Sequence, residues 1–346
     1  MRGLSPIVLA TLALLANVGV ALTPWTPSEF AAWRAQCVVQ RSFAHDVGAP
    51  LKELCERSPF DVEQYGVLGD AGYPLLAARS REWLKSKPCV LITGGVHGYE
   101  TSGVQGALDF LRTDEANGCF AKALNIVVVP CVSPWSYEHM QRWNEECIDP
   151  NRSFGPDGVS TDGGPEATAV AEEAAALKAF IDSLGVDAWM CHLDLHETTD
   201  ADESEYRPVA AARDGEPHVP ETVPDGFFLV ADAPARALLL VEDDACVVDK
   251  PAWLATIVQA VEKCTHIAQQ DEHGMLAGMP LVQRGVVALP TRSLGVAAAM
   301  TNAPYAATTE VYPDSPRITS AAECCRAQVV ACLAALNHII EEERLM

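Results

Sequence analysis

Basic residues are scarce in this chain: 24 Lys and Arg face 47 Asp and Glu, a formal net charge of −23. With no basic patch to displace counterions from a phosphate backbone, nucleic-acid binding is excluded. Twelve cysteines are present, none in a C-x-x-C pair, which excludes zinc-finger and thioredoxin-like arrangements. Beyond the amino-terminal segment no apolar run is long enough to span a bilayer; residues 297–300 are far too few. No internal repeat is visible. What remains is a chain of 346 residues with 49% hydrophobic content, ample for one large core.

The amino terminus carries Arg2, an apolar stretch over residues 7–16 and the small residues Gly19-Val-Ala21. This pattern predicts a signal peptide over residues 1–21, with an uncleaved anchor as the alternative. It implies the secretory pathway, an extracellular or vacuolar/lysosomal destination and no membrane attachment after cleavage. Some cysteines are expected to pair in that compartment, whereas Cys89 and Cys191 fall in predicted buried strands, where a thiol packs as a small apolar group. Residues 22–85 read as a helical lead-in of two helices packed on the core. From residue 86 to 346, strands (125–130, 227–231, 285–289) alternate with helices (166–184, 251–264). That order predicts a single α/β domain with a doubly wound, mixed but mostly parallel sheet and helices on both faces. A last helix begins at the capping box Ser320-Ala-Ala-Glu323 and runs through Ile340.

Chemistry concentrates in three segments. The first is Leu91-Ile-Thr-Gly-Gly-Val-His97-Gly-Tyr-Glu100, where a predicted buried strand over 89–93 ends at a glycine pair and a helix follows over 101–112. Ligands of open α/β sheets gather at the carboxyl ends of strands, so His97 and Glu100 could share a metal ion. The pair alone is weak, since short His/Glu spacings arise by chance. In the second segment, residues 187–199, period-2 alternation puts His192, Asp194 and His196 on one strand face, with Trp189, Cys191, Leu193 and Leu195 on the other. Three buried ionisable groups need an ion, a hydrogen-bonded network or solvent. His196, at the strand's end, is read as a ligand, and His192 and Asp194 as supporting groups. The third segment holds Arg142, Asn151 and Arg152. Guanidinium groups bind carboxylates bidentately, so these form an anion-recognition set; the alternative is that they neutralise nearby acids.

His-x-x-Glu, then Arg-x-Asn and Asp-Pro-Asn-Arg, then Asp-Leu-His, then Thr-x-Glu: this order, spanning roughly residues 86–315, resembles the zinc carboxypeptidase superfamily, which includes aspartoacylases and succinylglutamate desuccinylases. The resemblance implies one Zn²⁺ held by His97, Glu100 and His196, with Arg142 polarising the scissile carbonyl. It further implies Asn151 and Arg152 as the clamp for a substrate's free carboxylate, and Glu310 as the catalytic base. A zinc carboxypeptidase-like catalytic domain over 86–346 follows, removing carboxyl-terminal residues from peptides. The alternatives are an amidohydrolase acting on N-acyl amino acids and a homologue that binds without turnover. The digestive carboxypeptidases carry a mobile tyrosine well before the base; Tyr305 is too close to Glu310 to match, and no tyrosine is assigned. The acidic loop over 198–208 could favour basic substrates, or be a solvated loop or a calcium-type site. Asn151-Arg-Ser is a glycosylation sequon, expected to be unmodified because a glycan would block the cleft.

Overall fold

The computed structural model describes residues 23–155, 160, 169–232, 248–318 and 320–345. The predicted signal segment and Cys246 lie outside these residues, as do the first residues of the helix expected over 166–184. Ten strands form one mixed sheet in the order β1-β2-β4-β3-β5-β10-β6-β9-β8-β7. They are β1 (Phe60–Leu68), β2 (Tyr73–Ser80), β3 (Cys89–Gly94), β4 (Asn125–Val129), β5 (Trp189–Glu197), β6 (Phe228–Asp232), β7 (Met275–Leu276), β8 (Met279–Gln283), β9 (Val286–Leu289) and β10 (Tyr305–Val311). The central strands β4, β3, β5 and β10 run parallel, as does the pair β6 and β9. At both margins the pairing is antiparallel, and so it is between β10 and β6. Parallel pairing is therefore a property of the centre rather than of most of the sheet. The outer strands are joined by short turns, which permit only antiparallel neighbours.

Helices cover both faces. On one, α3 (Thr101–Leu111), α7 (Pro251–Val261) and α8 (Ala321–Glu342) pack over Val90, Ile92, Ile126, Leu193 and Leu195. On the other, α5 (Glu172–Ser183) buries Leu177, Phe180 and Ile181 against Leu91, Val127 and Val129. Successive side chains of one strand thus feed opposite cores, as the pleat requires. Trp189 departs from its predicted face: the register slips between Trp189 and Cys191, and Trp189 joins the core beneath α5. α8 starts at Ser320, but the Ser320 side chain makes no capping bond, and Glu323 accepts from Thr265 Oγ1 at 3.0 Å.

The lead-in holds two helices, α1 (Pro27–Gln36) and α2 (Ala49–Glu56), and in addition the β1–β2 hairpin, which extends the sheet. The helical expectation missed this hairpin because a bulge between Gln64 and Gly66 breaks the period-2 pattern of β1. Among the described residues the eleven cysteines are free thiols, so the expected pairing is not seen. Seven of them are buried as small apolar groups, burial pushing the Cys131 and Cys332 thiols up to about 12. Among the same residues no helix is long and apolar enough to cross a membrane.

Candidate metal centre

The loop after β3 is shaped by close approaches that only glycine tolerates. Gly95 lies at φ +58°, and a Cβ on Gly98 would sit 1.9 Å from the Ser136 carbonyl carbon. The loop therefore lies flat on α4 (Pro134–His139), which turns His97 inward. Arg41, from the lead-in, fixes the same loop from behind. Its guanidinium donates to Gly98 O, to Thr101 Oγ1 at 2.7 Å and to Tyr137 O at 2.7 Å, and it stacks over the Tyr137 ring. β5 supplies His196 next to Glu310 on β10, the two being direct register partners.

His97, Glu100 and His196 converge. Their donor atoms lie within 4.8 Å of one another, and the three side chains are 2%, 1% and 2% exposed. Each Glu100 carboxylate oxygen faces one imidazole: Oε1 is 2.7 Å from His97 Nδ1, and Oε2 is 2.7 Å from His196 Nδ1. The far nitrogens are held by other carboxylates, His97 Nε2 by Asp149 at 2.9 Å and His196 Nε2 by Asp194 at 2.7 Å. Carboxylates behind the imidazoles fix which nitrogen points inward, the arrangement common behind metal-binding histidines. Asp194 also accepts from Thr93 Oγ1 at 2.6 Å, and that hydroxyl lies 3.1 Å from His192 Nε2. His192 thus stands one residue behind the centre. Burial pulls its imidazole down to about 4, so it is neutral there.

The charge balance fits a cation. Glu100, Asp149, Asp194, Asp202 and Glu310 gather here, and Arg142 pairs with two of them, Asp149 and Asp202. Burial raises the Glu100 carboxyl, but His196 and His97 overcome it and hold it below the usual range. Asp149 is likewise raised by burial and brought far down by Arg142 and His97. Glu310 goes the other way: burial, against the pull of His196, pushes it up to about 8. Of Glu100, Asp149, Asp194 and Glu310, only Glu310 is shifted upward. Two imidazoles and a carboxylate are also the donor set of hydrolytic metal sites, so one metal ion fits His97, Glu100 and His196.

A cavity of about 550 Å³ opens on this group, and Arg142, Asn151, Arg152 and Glu310 line it. Arg142 reaches Asp149 at 3.1 Å and Asp202 at 3.5 Å, which fixes its guanidinium beside the donors. Asn151 is braced: its Oδ1 accepts from Ala297 N at 2.8 Å, and its Nδ2 lies 3.4 Å from His196 Nε2. With its amide so buried, the sequon is closed to a glycan. Arg152 donates to its neighbour Asn151 O at 2.8 Å and has no ion-pair partner among the described residues. Glu310 accepts from Thr198 Oγ1 at 2.9 Å. The acidic loop is largely occupied with its own partners: Asp202 takes Tyr99 OH and Arg142, Glu203 takes Arg207, and Asp200 takes Tyr312. Sequence reasoning missed Asp149, Asp202 and Arg41. Asp149 was within reach, since it precedes the Pro-Asn-Arg run; Arg41 lies in the lead-in with no motif around it.

A buried two-histidine, one-glutamate set at the carboxyl ends of central strands, beside a raised glutamate in a cleft, is a candidate metal centre. Residues 86–221 match the family model described as the succinylglutamate desuccinylase/aspartoacylase catalytic domain. The fold is similar to that of a candidate metallopeptidase from Shewanella amazonensis (20% identity, 88% of this chain and 98% of that one, TM-score 0.60). It is similar too to a second candidate metallopeptidase, from Shewanella denitrificans (16% identity, 84% and 88%, TM-score 0.57). The third is a metallo-carboxypeptidase from Pseudomonas aeruginosa in complex with (2-guanidinoethylmercapto)succinic acid (16% identity, 93% and 70%, TM-score 0.54). No curated protein matches the sequence. Residues 86–221 are thus similar to that catalytic domain, and the fold as a whole is similar to that of solved metallopeptidases.

Proposed function

We propose that the protein is a zinc-dependent hydrolase that cleaves the amide bond next to a residue with a free carboxylate, removing carboxyl-terminal residues from peptides. The observation that carries this reading is one cavity lined by His97, Glu100, His196, Glu310 and Arg152 together. A Zn²⁺ held by His97, Glu100 and His196 would supply Lewis acidity, polarising a carbonyl and bringing the pKa of a water toward about 7. Glu310, held by Thr198 Oγ1 in the same cavity, accepts a proton from the attacking water as a carboxylate and returns it to the leaving amine. Arg142, fixed by Asp149 and Asp202, donates to the oxygen on which negative charge develops. Arg152 holds the terminal carboxylate, which makes the action exo rather than endo. The succinic acid ligand of the Pseudomonas aeruginosa protein supports a carboxylate-bearing substrate.

The family-model match favours a second reading, an amidohydrolase using the same metal set on small N-acyl amino acids. Rates on peptides and on N-acyl amino acids, with and without a chelator, separate the two. Glu310→Gln should lower hydrolysis at least about 100-fold while metal content stays unchanged; an undiminished rate removes Glu310 from the reaction. The amino-terminal segment over residues 1–21 supports export through the secretory pathway. Recovery of an unprocessed chain inside the cell would overturn that assignment.

A further inference from the structure

The sheet face that carries the metal site changes character at β10. Thr308 and Glu310 share this face with Asp194 and His196 of β5 on one side. On the other side Glu310 lies opposite Phe228 and Thr308 opposite Val230 of β6. The next strand continues the pattern, with Val287 beside Val230 and Leu289 beside Asp232. Cross-strand neighbours point to the same side of a sheet, so this end of the cavity is walled by Phe228, Val230, Leu289 and, from the 290s loop, Val296. Met279 of β8 borders it. The charged lining residues Arg207, Asp214 and Glu221 come from α6 (Arg207–Asp214) and the segment after it, and each is already paired. The Thr308 side chain is buried and lines the cavity, its hydroxyl without a hydrogen-bond partner among the described residues.

The loop bearing Val296 is tied to the clamp. Phe154 N donates to Gly295 O at 2.9 Å, and Ala297 N donates to Asn151 Oδ1 at 2.8 Å. A carboxylate gripped by Arg152, with its amide at the metal site, therefore presents the substituent on its α-carbon to the apolar end. We propose that this end seats the side chain of the substrate's terminal residue and selects an apolar one, of leucine, methionine or phenylalanine size, over basic and acidic ones. The inference rests on the proposed carboxylate-directed hydrolysis. It runs against both the basic preference that the acidic loop suggested and the acidic residues that the matched family's name carries. A charge placed among Phe228, Val230 and Val296, all three buried, would lose its hydration against apolar side chains.

The test is the full-length, zinc-loaded protein assayed on N-acyl dipeptides that differ only in the last residue: Phe, Leu, Met, Lys, Glu and Asp. The kcat/KM for apolar ends should exceed that for charged ends by about 100-fold; equal or faster cleavage of Lys, Glu or Asp ends overturns the proposal. Equal turnover of carboxyl-terminal amides, or no turnover of any member, instead defeats the underlying reading. Calorimetry then decides the pocket: a succinate with a propyl arm should bind at least 10-fold more tightly than one with a guanidinoalkyl arm, and the reverse order overturns the inference. Val230→Asp should lower the rate on Phe ends and raise it on Lys ends. If that variant fails to fold, Leu289→Asp, at the half-buried edge of the wall, reads the same inversion.

Discussion

One face of this sheet holds two chemistries on either side of β10. Toward β5 it carries His192, Asp194 and His196, all buried and joined through Thr93, Glu100 and Asp149 into one network. Toward β6 and β9 it carries Phe228, Val230, Val287 and Leu289. Phe228, Val230 and Val287 are buried like the polar residues, so burial alone does not separate a functional region from a core. What separates them is how each is satisfied: the polar side needs every partner and a cation, the apolar side needs only shape. Glu310 stands on the boundary, and that position gives it a raised pKa without a neutralising arginine.

The contrast can be broken most strongly at the polar side. His196→Ala should remove the metal, read by elemental analysis after dialysis, and cut hydrolysis at least about 1,000-fold. A variant that kept both would mean the three donors do not share an ion. The polar side also reaches back to Glu173, buried at the start of α5 and hydrogen-bonded to Asn144 at 3.3 Å. Burial raises its carboxyl to about 7, above the unfolded value of 4.5. The folded chain then holds the extra proton, so this contribution is present in full below pH 4.5 and is lost as pH rises through about 7. Glu173→Gln should match the native protein at pH 4.5 and exceed its stability at pH 8 by up to about 3 kcal/mol in urea unfolding. Asp149→Asn keeps the shape but removes the charge behind His97, and a competing chelator should then show metal affinity lower by about 10- to 100-fold. On the apolar side the expected effect is smallest. Leu289→Ala should change KM for apolar ends by a few fold, on the order of 1 kcal/mol, with metal content untouched.

The sequence made the centre legible because period and polarity disagree there. A parallel central strand should read as a continuous apolar run, and His192, Asp194 and His196 violate that pattern at every second position. Such violations mark function because a buried ionisable group is tolerated only with partners. Asp149, sitting in the motif that exposed Asn151 and Arg152, could have been inferred as the group behind His97. Arg41 could not: it acts through backbone carbonyls of a loop 57 residues away, and backbone acceptors leave no trace in residue type. The β1–β2 hairpin was hidden by a bulge, and the antiparallel seat of β10 against β6 by the fact that strand order is a tertiary choice. The apolar wall was invisible because hydrophobic residues lining a cleft read the same as those filling a core.

β10 enters the sheet last in chain order yet lies in its middle, joining β5 to β6. During synthesis the ribosome therefore delivers all three metal donors long before the strand that couples the two halves. Until residues 305–311 emerge, the nascent chain has an open seam through its centre and no Glu310. A chain that stops early should thus be both inactive and prone to sticky edge pairing, a ready target for cellular quality control.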